Sequence, residues 1–212
     1  MRRFEPVLRS RRLKRLMDLS MGSVLLVVSL PFQFGIALAV RIDSPGPILY
    51  RARRAGRGSS TITVLKFRTM RPGADTSGPA VSAANDSRVT RVGQFLRGSR
   101  LDELPQLWNV LRGDMSLVGP RPEDPRFVAL YTPRQRIALS VRPGITGRAQ
   151  LTFRDERELL ATGDPDATYI RDILPRKVAI DVDYALHHDL IDDMRVLFRT
   201  LTTLIPRGKR PR

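Results

Sequence analysis

The residues best suited to chemistry are an adjacent acid pair, Asp102 and Glu103, which stands between two arginine-bearing segments. Arg97 and Arg100 precede the pair, and Arg121 follows it within a Pro-Arg-Pro sequence. A carboxylate can attack phosphorus or hold a metal ion, and guanidinium groups bind phosphate oxygens through paired hydrogen bonds. This combination of residue types therefore suits chemistry on a phosphate group.

The surrounding sequence indicates how the acid pair is presented. Leucines and one tryptophan recur at helical spacing over residues 101–111, which predicts an amphipathic helix with the acids near its start. Acids in a first helical turn are also common for purely structural reasons, because the helix dipole favours them there. A functional role is favoured by two later stretches rich in Gly, Pro and Arg, at 113–122 and 141–150, since such loops hold donors rigidly.

Several long segments occur in an order that is typical of one protein family. They are KFRTM at 66–70, NDSRVTRVGQFLR at 85–97, LDELPQLWNVLRGDMSLVGPRP at 101–122 and VRPGITGRAQ at 141–150. On these motifs the chain resembles the bacterial sugar transferase family of monotopic phosphoglycosyl transferases, from Arg11 to Pro206. The chain departs from the family pattern at Arg148, where the family has tryptophan, and this leaves the acceptor or sugar contacts at that position open.

The resemblance implies an enzyme that transfers a sugar-1-phosphate from a UDP-sugar to polyprenol (undecaprenyl) phosphate and releases UMP. This would be the first membrane step of exopolysaccharide or other glycoconjugate assembly. It implies Asp102 as the nucleophile of a covalent aspartyl phospho-sugar intermediate, and Asp102 and Glu103 as ligands of Mg²⁺, with a proton shuttle as the other role open to Glu103. The residues expected to bind phosphate or nucleotide are Lys66, Arg97, Pro120, Arg121, Pro122, Arg154 and Asp181.

The composition restricts the choice of partner. The chain has 37 Lys and Arg against 21 Asp and Glu, a net charge of +16, which predicts a nucleic acid, an acidic lipid or a phosphorylated substrate as partner. Aromatic residues make up only 6%, which argues against stacking on nucleic-acid bases, so we expect no nucleic-acid partner. The absence of cysteine excludes disulfides and thiolate metal sites. The alternatives are a membrane-tethered nucleic-acid-binding protein and a non-enzymatic scaffold, and a homo-oligomer stays open.

An uncharged stretch over residues 19–40 is long enough to cross a bilayer as a helix. Pro31 lies near its middle and removes one backbone hydrogen bond, and Ser29 is placed to help satisfy the freed groups. Basic residues flank both ends of this stretch, so the charge pattern fits either a helix that spans the membrane or one that returns to the same face. The resemblance implies a re-entrant hairpin broken at Ser29 and Pro31. We expect the cytosolic face of the bacterial inner membrane, with the basic arm over residues 1–15 bound to anionic lipids rather than solvated.

The expected fold is α+β and mainly helical, with an N-terminal re-entrant membrane helix hairpin, a small β-hairpin and interfacial amphipathic helices. We divide the chain into a membrane part, 1–43, and a cytosolic catalytic domain at the membrane surface, 44–212. Strands are predicted at 48–51 and 62–67, helices at 86–96 and 127–141, and a mobile loop at 71–84. The apolar stripe over 191–205 suits a core helix or an interfacial helix equally.

Overall fold

The computed structural model describes residues 5–74, 79, 81–82, 86–154, 156–160 and 164–204. Over these residues helices predominate, and the strands form two small sheets of two strands each. The predicted α+β, mainly helical class is therefore confirmed. The predicted loop at 71–84 lies partly outside the described residues.

The longest element is helix α1, Glu5–Asp43, which continues through Pro31 as one helix. The Ser29 hydroxyl donates to the Leu26 carbonyl at 3.0 Å and accepts from Gln33 Nε2 at 2.9 Å. These bonds lie in the turn where the proline, which has no N–H, interrupts the helical hydrogen bonding. Since the structure assigns a single helix, the two-armed membrane hairpin stays a prediction.

Much of the α1 surface is apolar and exposed. Phe32, Phe34 and Ile42 are 68%, 76% and 77% exposed. By length and composition Arg12–Asp43 is sufficient to cross a membrane, and only 11% of its most apolar window is buried. A contiguous exposed apolar surface of this kind marks contact with lipid or with another protein.

Two separate parts of α1 pack on the remainder of the chain. In its first half, the buried Asp18 carboxylate accepts hydrogen bonds from the Ser116 hydroxyl and the Leu117 N–H, at 2.9 and 3.0 Å. Near its end, Val40 is 2% exposed and lies in an apolar cluster with Phe67. The helix therefore contacts the same folded unit at Asp18 and again at Val40.

The predicted β-hairpin is confirmed. Strand β1, Leu49–Ala55, pairs antiparallel with strand β2, Thr61–Phe67. A short 3₁₀ turn over Arg57–Ser59 lies between them, and its Gly58 adopts a φ of +65°. Both strands extend further towards this turn than the sequence pattern indicates.

The centre of the fold consists of two short helices and a parallel pair of strands. Its elements are α2 (Arg91–Ser99), a 3₁₀ turn (Leu101–Glu103), α3 (Gln106–Arg112), β3 (Ser116–Val118) and β4 (Gly144–Thr146). Helix α2 starts later than predicted because Thr90 caps it: the Thr90 hydroxyl accepts the Gly93 N–H at 3.0 Å. Leu107 and Val110 of α3 are buried beside β3, whereas Trp108 is 51% exposed.

The predicted helix over 127–141 is wrong. The chain forms helix α4, Pro125–Val128, and a separate 3₁₀ helix, Gln135–Ser140. Pro133 lies between them, and a proline both lacks an N–H and disfavours a helical conformation at the residue before it. The apolar residues on this segment therefore reach the core from two short helices.

The last part of the chain is helical. Its elements are α5 (Arg148–Thr152), α6 (Glu156–Leu159), α7 (Pro165–Thr168), a π-helical turn (Tyr169–Ile173), α8 (Leu174–His187) and α9 (Leu190–Leu204). On α9, Val196 is buried, while Ile191, Phe198 and Leu201 are at least 60% exposed. The helix thus contributes to the core and also presents apolar surface, as an interfacial helix would.

Candidate active site

The acid pair lies in the 3₁₀ turn between α2 and α3. Arg100, in the left-handed conformation with a φ of +58°, ends α2 and begins this turn. The reversal places Asp102 and Glu103 just before α3, where they are only 9% and 8% exposed. The predicted position near a helix start is confirmed, although the acids precede the α-helix itself.

Glu103 is held by two cations. Its Oε1 accepts hydrogen bonds from Lys66 Nζ and from Arg121 Nη2, both at 2.9 Å. Lys66 comes from β2 and Arg121 from the segment after β3, so the carboxylate joins two separate parts of the fold. Within the described residues, the Asp102 carboxylate makes neither a hydrogen bond nor an ion pair.

Burial and neighbouring charges separate the two acids electrostatically. Burial raises the pKa of Asp102, Lys66 partly offsets this rise, and the charge of Glu103 adds to it. Burial also acts to raise the pKa of Glu103, but Lys66 and Arg121 outweigh it and hold that pKa well below its ordinary value. The pair therefore consists of a firmly ionised Glu103 and a neighbouring Asp102 that retains its proton to a higher pH.

The acids open onto a cleft of about 560 Å³ that collects most of the predicted site residues. Lys66, Arg97, Asp102, Glu103, Arg121, Pro122 and Arg154 all line it. Arg97 Nε donates to the Thr69 hydroxyl at 2.8 Å, and its charge acts on Asp102. Arg154 Nη2 donates to the Thr203 carbonyl of α9 at 2.7 Å.

Two predicted residues do not line the cleft. Pro120 is buried in the loop behind Arg121, where its carbonyl accepts the Gly144 N–H at 2.8 Å. Asp181 lies on α8 and is 7% exposed. Burial raises its pKa, the charge of Lys177 partly opposes the rise, and the resulting pKa is about 7. Direct substrate contact by either residue stays a prediction.

The Arg121 loop is positioned by the second Gly- and Pro-rich stretch. Gly119 N–H donates to the Thr146 carbonyl at 2.9 Å, which extends the pairing of β3 with β4. The backbones approach so closely that a Cβ on Gly144 would overlap the Gly119 backbone. The glycines therefore allow the contact that sets the direction of the Pro-Arg-Pro loop.

The cleft also contains a polar network that the sequence does not predict. The Tyr169 hydroxyl donates to Glu123 Oε2, and Lys177 Nζ donates to the Tyr169 hydroxyl at 3.1 Å and to Glu156 Oε2 at 2.8 Å. All four residues line the cleft. In the sequence, only the position of Glu123 directly after Pro-Arg-Pro indicates a place at the site. Glu156, Tyr169 and Lys177 are distant in the chain and become its neighbours only through folding.

Arg148, the departure from the family pattern, has a structural explanation. Its Nη1 donates to Asp183 of α8 at 2.7 Å and its Nε to Asp192 of α9 at 2.9 Å. Its guanidinium carbon lies 5.8 Å from the centre of the Tyr184 ring. Arg148 does not line the cleft, so it ties α5 to the last two helices.

The described residues contain no group of three or more His, Asp or Glu side chains that could hold a metal ion. The acid pair supplies two carboxylates, and Glu103 Oε1 is already engaged by two cations. Mg²⁺ is commonly bound through one or two carboxylates, with water and substrate phosphates completing its coordination. The residues present fit such a partial site rather than a closed protein cage.

Comparison with known proteins agrees with this geometry. The family model described as bacterial sugar transferase matches residues 9–207. The chain belongs to the bacterial sugar transferase family. The predicted resemblance and the predicted enzyme class, a phosphoglycosyl transferase, are thereby confirmed.

Three relatives illustrate the range of this sugar transferase family. A UDP-glucose:undecaprenyl-phosphate glucose-1-phosphate transferase of Caulobacter vibrioides is 37% identical, over 91% of this chain and 69% of the relative. The exopolysaccharide production protein PSS of Rhizobium leguminosarum bv. phaseoli is 39% identical, over 93% and 97%. A UDP-N-acetylgalactosamine-undecaprenyl-phosphate N-acetylgalactosaminephosphotransferase of Aeromonas hydrophila is 35% identical, over 91% of this chain but 44% of the relative.

Proposed function

We propose that this sugar transferase moves a sugar-1-phosphate from a UDP-sugar to undecaprenyl phosphate and releases UMP. The names of the relatives from Caulobacter vibrioides and Aeromonas hydrophila support both substrates, and the Rhizobium relative supports a place in exopolysaccharide assembly. The relatives differ in the sugar that their names give, so the sugar is not part of the proposal. The cationic cleft around a buried acid pair suits the phosphates of both substrates.

The single observation that carries the mechanism is the difference between the two acids. Glu103 Oε1 is held by Lys66 and Arg121, whereas the Asp102 carboxylate is unengaged within the described part of the chain. In our proposal an Asp102 oxygen attacks the sugar-bearing phosphorus of the donor. The bond from this phosphorus to the UMP oxygen breaks, UMP leaves with the electron pair, and an aspartyl phospho-sugar remains.

The second step restores the enzyme. An oxygen of the undecaprenyl phosphate attacks the same phosphorus, and the bond to Asp102 breaks, which regenerates the carboxylate. The product is undecaprenyl diphosphate sugar. No net proton transfer is needed, because each step breaks one P–O anhydride bond as it forms another, and every attacking or leaving oxygen belongs to a carboxylate or a phosphate.

The proposal requires that charge repulsion at Asp102 be reduced, since a carboxylate approaching a diphosphate meets like charge. Lys66, Arg97 and Arg121 all act electrostatically on Asp102 and are in place before substrate binds. Asp102 and Glu103 would hold Mg²⁺ together with the donor phosphates, and the ion would supply further neutralisation of negative charge. Since Lys66 and Arg121 hold Glu103 ionised, we assign it the role of orienting these cations and of ligand to the ion rather than proton shuttle.

The arrangement of α1 supports a location at one membrane face. Asp18 is bonded to β3, and Asp43, 25 residues later, accepts the Val92 N–H of α2 at 3.2 Å. A straight crossing would carry one end about 30 Å away, through the bilayer core. Because residues on both sides of the apolar stretch, Asp18 and Asp43, contact one folded unit, we propose that α1 enters and leaves on the cytosolic face of the inner membrane. Its exposed apolar residues and those of α9 would lie in lipid.

The test of this function is UMP release by purified enzyme in detergent or nanodiscs, across a panel of UDP-sugars, with undecaprenyl phosphate and Mg²⁺. We expect acceptor-dependent UMP release with at least one donor, abolished by EDTA and by Asp102→Asn. A nucleic-acid gel shift on the same preparation should show no binding that depends on the acid pair. UMP release that persists in a folded Asp102→Asn variant would contradict the proposal.

A further inference from the structure

Arg68, directly after β2, is a cleft residue to which the mechanism above gives no role. It is 7% exposed and its Nη2 donates to the carbonyl and the hydroxyl of Ser44, at 2.7 and 2.9 Å. Its Nε and Nη1 are buried and have no hydrogen-bond partner in the described part of the chain. A buried guanidinium with two unsatisfied nitrogens is unfavourable unless some step supplies an acceptor.

The lack of acceptors at Arg68 contrasts with Lys177, another deeply buried cation that lines the cleft. Lys177 is 4% exposed and forms an ion pair with Glu156 at 2.8 Å. Arg68 forms no ion pair with any described carboxylate, and the nearby Arg41 repels its charge. Burial lowers its pKa, and the nearby Arg41 lowers it further, while Asp43 only partly compensates. The environment of Arg68 therefore favours an anion.

The position of Arg68 identifies the kind of anion. Ser44 follows the last residue of α1, so the guanidinium lies where the exposed apolar helix meets the cleft. Leu38 and Ile42, within two turns of this junction, are 55% and 77% exposed. A phosphate attached to a hydrocarbon chain can reach this point while its chain stays beside α1, whereas a nucleotide gains nothing from that surface.

The backbone around Arg68 is adapted to its presence. Gly46 has a φ of +112°, and a Cβ there would lie 2.5 Å from Arg68 Nη1. A side chain at residue 46 would therefore displace the guanidinium. Because both unpartnered nitrogens are covered by protein, a ligand would reach them only once the Arg68 side chain turns towards the cleft that it lines.

We propose that Arg68 binds the phosphate of the lipid-linked acceptor, at a subsite separate from the Lys66, Arg97 and Arg121 cluster that serves the donor. The inference rests on the proposed two-step transfer. In this proposal, Lys66, Arg97 and Arg121 bind the phosphates of the UDP-sugar, and Arg68 binds the phosphate of the acceptor. Arg68 binds the phosphate monoester that attacks in the second step, and it has no part in release of UMP in the first.

The experiment separates the two half-reactions. Exchange of labelled UMP into the UDP-sugar, without acceptor, reports the first step, and turnover against undecaprenyl phosphate concentration reports the second. For Arg68→Gln we expect the exchange rate to stay within about 2-fold of wild type. We expect the KM for the acceptor to rise about 10- to 100-fold, the effect of one charge-assisted hydrogen-bonding partner lost. For Arg68→Lys, which keeps the charge, we expect an acceptor KM between those of the wild type and Arg68→Gln.

A matched control distinguishes substrate binding from a purely structural role. Arg15 also ties α1 to the catalytic unit, through the carbonyls of Val110 and Leu111 at 2.6 and 2.9 Å, but it does not line the cleft. Arg15→Gln should leave the acceptor KM unchanged, and any loss it causes should appear equally in exchange and turnover. The same pattern in Arg68→Gln, or a rise in the donor KM instead, would overturn the proposal.

Two further outcomes are also decisive. If Arg68→Gln does not fold, Arg68→Lys decides: a raised acceptor KM with normal exchange supports the subsite, and an unchanged KM overturns it. A wild-type enzyme that gives turnover but no UMP exchange would refute the two-step function itself, before any variant is made.

Discussion

Arg121 Nη2 donates a hydrogen bond to Glu103 Oε1 at 2.9 Å, and so joins the Pro-Arg-Pro loop to the buried acid pair. Glu103 is the main reason that the pKa of Arg121 is raised, so each partner stabilises the charge of the other. The contact fixes a cation beside Asp102 without engaging the Asp102 carboxylate.

Loss of the Glu103–Arg121 contact should reduce catalysis more than folding. For Glu103→Gln and Arg121→Gln we expect kcat/KM for the donor to fall about 10²- to 10³-fold, because a fixed charge near the reacting phosphate is displaced or lost. Steady-state UMP release measures this. Arg171→Gln is the control, since Arg171 is exposed and, among the described residues, its ion pair is with the neighbouring Asp172. Near-normal rates in both cleft variants would contradict the role of the contact.

Lys66 should control the pH at which Asp102 becomes reactive. Attack requires the carboxylate form, so activity falls as pH drops through the Asp102 pKa, which burial raises and Lys66 partly lowers. Without Lys66 that pKa rises further, and the acid limb of the kcat/KM profile should move to higher pH in Lys66→Met. Arg53→Gln, an exposed change on β1, should leave the limb in place. A shift to lower pH in Lys66→Met would be inconsistent with this electrostatic account.

Arg148 should matter for stability and not for substrate. Arg148→Ala removes two ion pairs and a contact with the Tyr184 ring, together worth about 1–2 kcal/mol for a partly exposed group. The melting temperature in detergent should fall, with the donor and acceptor KM values unchanged. A changed KM would place Arg148 at the substrate, as the family pattern had left open.

Asp181 should make stability depend on pH. Burial raises its folded-state pKa to about 7, so the folded state holds this proton more tightly than the unfolded chain does. Stability is then lost as pH rises from the ordinary aspartate pKa through about 7, by up to about 4 kcal/mol. Asp181→Asn removes this loss, so its melting temperature should exceed that of wild type increasingly between pH 5 and pH 8. If the melting temperatures of the wild type and Asp181→Asn changed in parallel with pH, the role of Asp181 in this pH dependence would be contradicted.

Motif order was sufficient to predict which charged residues gather around the acid pair. Lys66, Arg97 and Arg121 lie far apart in the chain and line one cleft with Asp102, because long segments with rigid Gly- and Pro-rich loops carry them. The unequal state of the two acids could not be predicted, since it depends on which carboxylate the cations reach. Arg68 escaped notice because a sequence does not show that two of its nitrogens are buried without partners.

The spacing of apolar residues does not predict helix boundaries where the chain forms short helices instead of one long helix. The predicted helix over 127–141 was interrupted at Pro133, and the start of α2 was set by the Thr90 cap rather than by apolar spacing. For α9, spacing alone could not decide between core and surface, since Val196 is buried and Phe198 is exposed on the same helix.

The central claim is the covalent role of Asp102, which is buried among cations and unengaged in the described structure. Asp102→Asn should abolish turnover in a folded enzyme, and Asp102→Glu should also fail because one added methylene misplaces the attacking oxygen. Both variants should stay folded, with a cooperative melting transition, and keep membrane association.

The most direct measurement is peptide mass spectrometry of enzyme quenched after incubation with UDP-sugar and Mg²⁺ alone. We expect a sugar-phosphate added to the peptide that contains Asp102, with stoichiometric release of UMP, and loss of the adduct when undecaprenyl phosphate is supplied. An unmodified Asp102 peptide in enzyme that turns over only when donor and acceptor are both present would contradict it.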